Sequence, residues 1–289
     1  LDFPATFATD PKAVEKKNKS RFRLLSADEV AKTVNEGCAV HGLLPPSGIV
    51  SIFGSSGSAK TFLCLHLGAK LSSAESWFGR LIPRKHRVVY VALEGQWGMP
   101  LRLRAWEKVY EQPFPEGVRF VFEPLTINDP AAVTEFANFL NQAGGADVVF
   151  VDTLNRAAPG SDENRSSDMG KIIEGANLLQ RLTKCLVILV HHSGKDESRG
   201  LRGHSSLYAA LDTVIEVKRD QKNNRWWRLE KAKDGEDGIS HAFDLEVAEL
   251  GVDSYGLPLT SVAIRELEGP VPASQKQPVL GKNQTAVLV

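Results

Sequence analysis

The chain has 289 residues, with 35 lysines and arginines against 35 aspartates and glutamates, so its formal net charge is zero. Hydrophobic residues make up 42% and charged residues 24%, which excludes global disorder and allows a large core without disulfides. Neutrality argues against a protein that coats nucleic acid through bulk charge, although a local basic groove is still possible. The apolar runs are too short for a membrane helix, so we expect no membrane association. The widely spaced Cys38, Cys64 and Cys185 indicate a reducing, cytoplasmic setting.

The two ends of the chain differ from its middle. Residues 1–25 are basic and lack a hydrophobic pattern, so we interpret them as an arm or linker. Ser26 followed by Glu29 is a capping signature that predicts a short helix through Val34, and we expect one domain over residues 26–268. Residues 269–289 are interpreted as a linker and the start of a truncated C-terminal element. Because the chain starts at Leu1, we expect a fragment of a longer protein.

The middle of the chain alternates between strand and helix patterns. Five apolar runs predict strands, at 49–53, 88–93, 118–122, 148–151 and 186–190. Amphipathic segments between them predict helices, at 61–71, 101–109, 131–142 and 169–182. Four further strands follow closely, separated by turn residues, at 214–217, 226–231, 241–247 and 261–267. The pattern predicts an α/β fold with a mostly parallel sheet flanked by helices and an antiparallel C-terminal extension.

The first of these strands leads into a loop of small residues and then a helix. The loop follows the phosphate-binding pattern G-x-x-x-x-G-K-[ST] except at its second glycine, and it comprises Gly54, Ser55, Ser56, Gly57, Ser58, Ala59, Lys60 and Thr61. Backbone N–H groups at a helix N-terminus bind phosphate oxygens, Lys60 can reach the β- and γ-phosphates, and Thr61 can hold Mg²⁺. We therefore expect ATP and Mg²⁺ as ligands. Alanine at position 59 predicts a right-handed backbone there.

Polar side chains follow three other strands, where a ligand crevice is expected in a parallel sheet. Asp152 follows the strand at 148–151 and is placed to hold Mg²⁺. Glu94 follows the strand at 88–93 and is the best candidate for orienting or deprotonating an attacking water. His191 and His192 follow the strand at 186–190, and we expect His192 to contact the γ-phosphate.

In this order, the phosphate loop, Glu94, Asp152-Thr153 and His191-His192 resemble the RecA-like ATPase core. The pattern is most similar to hexameric replicative helicases of the plasmid RepA type, over about residues 40–250. The resemblance implies a homo-oligomer, a ring of six subunits, that hydrolyses ATP at subunit interfaces and moves on single-stranded DNA. It also implies that Glu94 is the catalytic base, that Asp152 and Thr61 are metal ligands, and that His192 is a phosphate sensor.

The same resemblance indicates a trans-acting cation and two DNA-contacting loops. Lys231 and Lys233 are similar to the Lys-x-Arg element with which DnaB-type helicases reach a neighbour's γ-phosphate, although lysine lacks the planar fork of arginine. The loops expected to face DNA are 155–168 and 193–206. The second carries three basic candidates among glycines, Lys195, Arg199 and Arg202. A solvated turn and solvated loops are the structural alternatives.

Three other functions share parts of this pattern. A RecA-like ATP-dependent switch or loader would bind DNA without unwinding it. A small-molecule kinase would share the phosphate loop but explains Glu94 and the paired histidines less well, and a recombinase should carry a filament-forming arm. If the chain is a replicative helicase, we expect primase or other replication partners and a prokaryotic plasmid or phage context.

Overall fold

A computed structural model describes residues 23–32, 37–162, 165–193, 205–233, 235 and 238–268. The chain divides into two compact units, Leu1–Glu36 and Gly37–Val289. In the first unit, helix α1 spans Ala27–Lys32. The amide of Ser26 donates to the Glu29 carboxylate at 2.8 Å, and the Glu29 amide donates to the Ser26 hydroxyl at 3.2 Å. This reciprocal pair is the predicted capping box, whereas the predicted helix end at Val34 lies outside the described residues.

The second unit is built on a sheet that contains nine strands within the described residues, in the order β3-β2-β4-β5-β1-β6-β7-β8-β9. The strands are β1 Gly48–Gly54, β2 Val88–Ala92, β3 Val118–Val121, β4 Val148–Asp152, β5 Leu186–His192, β6 Thr213–Arg219, β7 Arg225–Ala232, β8 Ser240–Val252 and β9 Pro258–Glu266. The helices are α2 Lys60–Ser73, α3 Met99–Tyr110, α4 Pro130–Gln142, α5 Leu154–Ala157, α6 Ser166–Thr183 and α7 Ser205–Ala210, with a 3₁₀ turn at Gln96–Gly98. Every predicted strand and helix is present within a few residues of its expected bounds.

The parallel half of the sheet runs from β3 through β6. Strand β1 pairs in parallel with β5 on one side and β6 on the other. The expectation that the strand at 214–217 belongs to the antiparallel extension is therefore wrong, because the antiparallel pairing starts only between β6 and β7. Parallel strands that follow one another along the chain need a long crossover, and the stretch between β5 and β6, which includes α7 and passes over β1, supplies one. The turn residues between β6 and β7 therefore indicate only the antiparallel pairing of these two strands.

Helices cover both faces of the parallel strands. Helix α2 packs on one face, where Leu63 and Leu67 join the core with Tyr90 and Phe150 of the sheet. Helices α4 and α6 pack on the other face, where Val133 joins a second core cluster. Helix α4 begins where the Asp129 carboxylate accepts the Ala131 amide, with Pro130 at the first helical position. With both faces buried, the strand ends at the rim of the sheet are the places where polar groups can meet a ligand.

None of the helices in the described ranges is both long and apolar enough to cross a bilayer.

Candidate active site

The phosphate-binding loop connects β1 to α2 in a conformation that small residues allow. Gly57 has a φ of 75°, and a side chain on Gly54 would collide with the carbonyl oxygen of Val217 on the neighbouring strand. Ala59 has a φ of 80° and a ψ of 25°, so its backbone is left-handed. The right-handed conformation expected for this alanine is therefore wrong. The loop keeps the geometry that a glycine would adopt freely and holds the alanine in it at an energetic cost.

Lys60 opens helix α2, and its side chain folds back over the loop. Its Nζ donates to the carbonyl oxygens of Gly54 and Ser55, both at 2.9 Å, and lies 3.4 Å from Nδ1 of His192. Burial lowers the pKa of Lys60, while the charge of Asp152 opposes that shift. These contacts hold the ammonium against the phosphate loop, within reach of a bound phosphate.

Asp152 ends β4 directly beside Ala92 of β2, and it is almost completely buried. Its Oδ2 accepts the hydroxyl of Thr61 at 2.8 Å and the phenol of Tyr90 at 2.6 Å. Its Oδ1 is buried and has no hydrogen-bond partner among the described residues. Burial raises the pKa of Asp152, and the bonds from Tyr90 and Thr61 counter this rise. A buried carboxylate with one bare oxygen, next to a hydroxyl, fits Mg²⁺, which prefers such oxygen ligands.

Glu94 lies just beyond β2 and is partly open to solvent, with 38% of its side chain exposed. The Thr153 hydroxyl lies 3.4 Å from its Oε2, and Nε of Arg156 lies 3.9 Å from the same atom. Its charge raises the pKa of Asp152, which is consistent with the two carboxylates facing one site. Glu94 therefore keeps an exposed carboxylate beside the Asp152–Thr61 pair, where it could orient a water molecule.

His192 reaches the site because β5 is longer than the sequence pattern suggests. The strand continues two residues past the predicted end at 190, and His192 pairs with Gly54 in the parallel register. The Ser193 amide then donates to the Gly54 carbonyl at 3.1 Å. This register brings His192 to the start of the phosphate loop and next to Lys60.

The two candidate trans cations have different surroundings in this chain. Lys231 donates to the carbonyl oxygens of Tyr208, Ala209 and Leu211, at 2.8, 3.2 and 2.6 Å, and so binds the C-terminal end of α7. Lys233 is 67% exposed and lies 3.4 Å from Asp212.

The loops expected to contact DNA are only partly described. The candidates Lys195, Arg199 and Arg202 lie outside the described residues. In the other loop, residues Leu154–Ala157 form the short helix α5 and α6 already begins at Ser166.

Sequence reasoning missed Tyr90, which contacts the Asp152 carboxylate directly. Strand alternation places Tyr90 on the same face as Ala92, and Ala92 is the register partner of Asp152. The alternation of residues along β2 already placed Tyr90 and Ala92 on one face. The contact with Asp152 could be predicted only once the pairing register of β2 and β4 was known.

The site combines a phosphate loop, a buried carboxylate that accepts the hydroxyl of Thr61, and a second carboxylate at the carboxyl ends of parallel strands. This combination fits the nucleotide site of a P-loop ATPase on a RecA-like fold. The chain belongs to the AAA domain family, whose profile matches residues 18–198. Among solved structures, the chain is similar to the crystal structure of the RadB recombinase, at 17% identity and a TM-score of 0.51 over 70% of this chain and 88% of that one. No curated protein matches the chain. The predicted fold class, a mostly parallel sheet with helices and an antiparallel extension, is confirmed.

Proposed function

We propose that this protein is a DNA-dependent ATPase motor that acts as a homo-oligomeric ring, with six subunits as the expected number. ATP would be hydrolysed at subunit interfaces, and its turnover would drive movement along single-stranded DNA. The cellular setting that goes with this proposal is the cytoplasm, in a plasmid or phage replication system with primase or similar partners.

The observation that carries the proposal is the convergence of four strand ends on one site. Asp152 and His192 are the last residues of β4 and β5, while Glu94 and Lys60 follow β2 and β1. Contacts among these side chains and those of their immediate neighbours link the four groups. A kinase needs the phosphate loop and the metal carboxylate, but it has no evident use for an exposed glutamate and a histidine at the same rim. A hydrolytic site needs both a group for water and a group that responds to loss of the phosphate.

The chemistry follows from the position of each group. Mg²⁺, when bound, neutralises charge that develops on the phosphate oxygens. Asp152 and Thr61 are the side chains placed to hold the ion, and Lys60 can exchange its carbonyl partners for phosphate oxygens. Glu94 orients the attacking water and takes its proton. His192 contacts Lys60 at the start of the phosphate loop, so it can pass a change at the phosphate to the residues that follow β5.

The contribution of DNA is proposed from charge and position. Lys195, Arg199 and Arg202 lie within ten positions after His192 in the sequence, so single-stranded DNA bound by them would be linked to the proposed phosphate sensor. The hairpin between β6 and β7 carries two further exposed basic residues, Arg219 and Lys222, which could contact DNA phosphates as well.

The primary test is ATP hydrolysis by the purified chain with and without single-stranded DNA. We expect DNA to stimulate turnover and the stimulation to fall with salt. A triple substitution of Lys195, Arg199 and Arg202 to Ala should remove the stimulation and leave the basal rate. Native mass measurement with ATP tests the ring, and strand displacement on a forked duplex tests motor action. DNA-independent turnover by a monomer would contradict the proposal.

A second candidate, an ATP-dependent DNA-binding switch or loader without unwinding, is favoured by the contacts of Lys231. Three backbone carbonyls of its own chain hold this lysine, so a trans cation would have to come from Lys233 alone. If the motor proposal is correct, Lys233→Ala should lower turnover of the oligomer without changing thermal stability, and Lys233→Arg should preserve turnover. Lys231→Met should instead lower the melting temperature. Full turnover in Lys233→Ala, with DNA binding retained, would favour the switch.

A further inference from the structure

Tyr90 is a fully buried phenol at the centre of the parallel sheet. Its ring stacks on Phe150 of β4, with centroids 5.3 Å apart and planes 18° apart, and it packs on Phe120 of β3 at 5.8 Å. These contacts fix the ring on both sides along the sheet. The direction of the hydroxyl at its tip is therefore set by packing rather than by solvent.

The hydroxyl is aimed at Asp152. Tyr90 pairs with Phe150 in the parallel register, and Asp152 lies two positions further along the same strand, so the two side chains are diagonal neighbours on one face. The O–H donates to Oδ2 at 2.6 Å, a short distance typical of a hydroxyl bonded to a carboxylate.

Both donors to Asp152 use the same oxygen. Thr61 and Tyr90 donate to Oδ2, and Oδ1 has no hydrogen-bond partner among the described residues. Two donors on one oxygen restrict rotation of the carboxylate about its terminal bond, which is otherwise soft. A threonine hydroxyl that donates its proton to Asp152 also keeps its lone pairs for a cation. The phenol of Tyr90 is fully buried in the core, so we assign it only the bond to Asp152.

We propose that Tyr90 is a positioning residue for the Mg²⁺ site, which holds the Asp152 carboxylate by Oδ2 so that Oδ1 is kept for the ion or its water. This inference rests on the proposed function only in taking Asp152 as the Mg²⁺ carboxylate. It requires neither DNA binding nor ring formation.

The test is Tyr90→Phe, which deletes one oxygen and keeps the stacked ring. Binding of a fluorescent, non-hydrolysable ATP analogue is measured as a function of Mg²⁺, and again in EDTA. We expect the half-saturating Mg²⁺ concentration to rise about tenfold, which corresponds to about 1.4 kcal/mol. Binding of the analogue without Mg²⁺ should change less than about twofold, because Tyr90 does not touch the phosphate loop in the contacts described here.

The matched control is Tyr110→Phe. The phenol of Tyr110, on α3, donates to the Ile264 carbonyl at 2.8 Å, so this substitution also removes one phenol hydrogen bond but leaves both donors to Asp152 in place. A similar drop in melting temperature in both variants, with Mg²⁺ dependence unchanged in both, would overturn the proposal. In a double-mutant cycle with Asp152→Asn, the effect of Tyr90→Phe on Mg²⁺ should largely disappear.

A measurement on the unaltered protein covers the case in which Tyr90→Phe does not fold. The chain has four tyrosines, so ¹³Cζ-tyrosine labelling gives few NMR signals. The signal of the buried Tyr90 should shift when Mg²⁺ and the nucleotide analogue are added, while that of Tyr110 stays constant. A Tyr90 signal that does not respond to Mg²⁺ would overturn the proposal. If the unaltered protein shows this Mg²⁺ response of Tyr90 but its ATP turnover is not stimulated by DNA, the result counts against the proposed function alone.

Discussion

The ammonium of Lys60 lies 3.4 Å from Nδ1 of His192 while it also donates to the carbonyls of Gly54 and Ser55. Since an ammonium can only donate, Nδ1 is the acceptor in this contact and the ring proton belongs on Nε2. The lysine that would bind the phosphates and the histidine that would sense them thus already contact each other. Phosphate binding would have to compete for this contact.

Lys60→Ala should remove most ATP hydrolysis, because it deletes the cation that we propose stabilises charge on the transferred phosphoryl group. We expect a loss of roughly 10²- to 10³-fold in turnover, the usual effect of deleting one electrostatic stabiliser. The measurement is steady-state ATPase, with Lys85→Ala as a control, because Lys85 is an exposed lysine far from the loop in sequence. An unchanged rate in Lys60→Ala would show that the site has been misassigned.

Glu94→Gln should retain ATP binding and lose turnover. Glutamine keeps the shape and can still contact Thr153, but it cannot accept a proton from water. A drop of about 10²- to 10⁴-fold in the rate is the range for loss of a general base. Single-turnover hydrolysis and equilibrium nucleotide binding separate the two effects. If the folded variant fails to bind ATP, Glu94 has a binding role rather than a role as base.

Ala59→Gly should stabilise the protein, because glycine adopts the left-handed backbone without strain. An alanine at φ 80° costs about 1 to 2 kcal/mol, and the larger chain entropy of glycine takes back about 0.5 to 1 kcal/mol. The free energy of unfolding in denaturant should therefore rise by roughly 0 to 1.5 kcal/mol, and by about 0.75 kcal/mol at the midpoint of both ranges.

The control on the same helix is Ala69→Gly. Ala69 is a buried interior residue of α2 with an ordinary helical backbone, so glycine there should destabilise the protein by about 1 kcal/mol or more. Equal destabilisation by both substitutions would mean that position 59 is not strained in solution.

His66 should make the protein lose stability in mild acid. Its Nδ1 accepts the indole N–H of Trp106 at 3.2 Å, so Nε2 carries the proton and donates to Glu266 at 2.8 Å. Burial lowers the pKa of His66 below its usual value of 6.5, although Glu266 opposes the shift. We therefore read the His66–Glu266 contact as a hydrogen bond from a neutral ring rather than an ion pair.

The direction of the pH effect follows from which state binds the proton first. With its pKa lowered in the folded state, His66 takes up a proton in the unfolded chain first as pH falls through 6.5. The stability it contributes is complete above that pH and falls toward the folded pKa, with a slope of at most about 1.4 kcal/mol per pH unit. Chemical denaturation at pH 8 and pH 5.5 measures the loss, which His66→Gln should reduce. His86 and His241 shift the same way, so the variant should flatten the profile only in part.

The sequence alone proposes the candidate-site residues that lie on a continuous stretch of chain or at the end of a strongly apolar strand. The phosphate loop, Asp152 and Glu94 belong to this group, since carboxyl ends of parallel strands share one rim. It did not predict contacts that depend on register or distant packing. Tyr90 meets Asp152 only because β2 and β4 pair in one register, and Glu266 reaches His66 from 200 positions away. The backbone at Ala59 was missed because the loop geometry is set by its surroundings rather than by alanine's own preference.

The position of β1 in the middle of the sheet has a consequence for how the protein is made. Ser51 of β1 and its partner Leu189 of β5 are 138 positions apart, and β6 on the other side follows later still. A ribosome therefore releases the phosphate loop long before either flanking strand exists. We expect a nascent chain shorter than about Arg219 to be unable to retain ATP, so nucleotide capture should begin abruptly and late during translation.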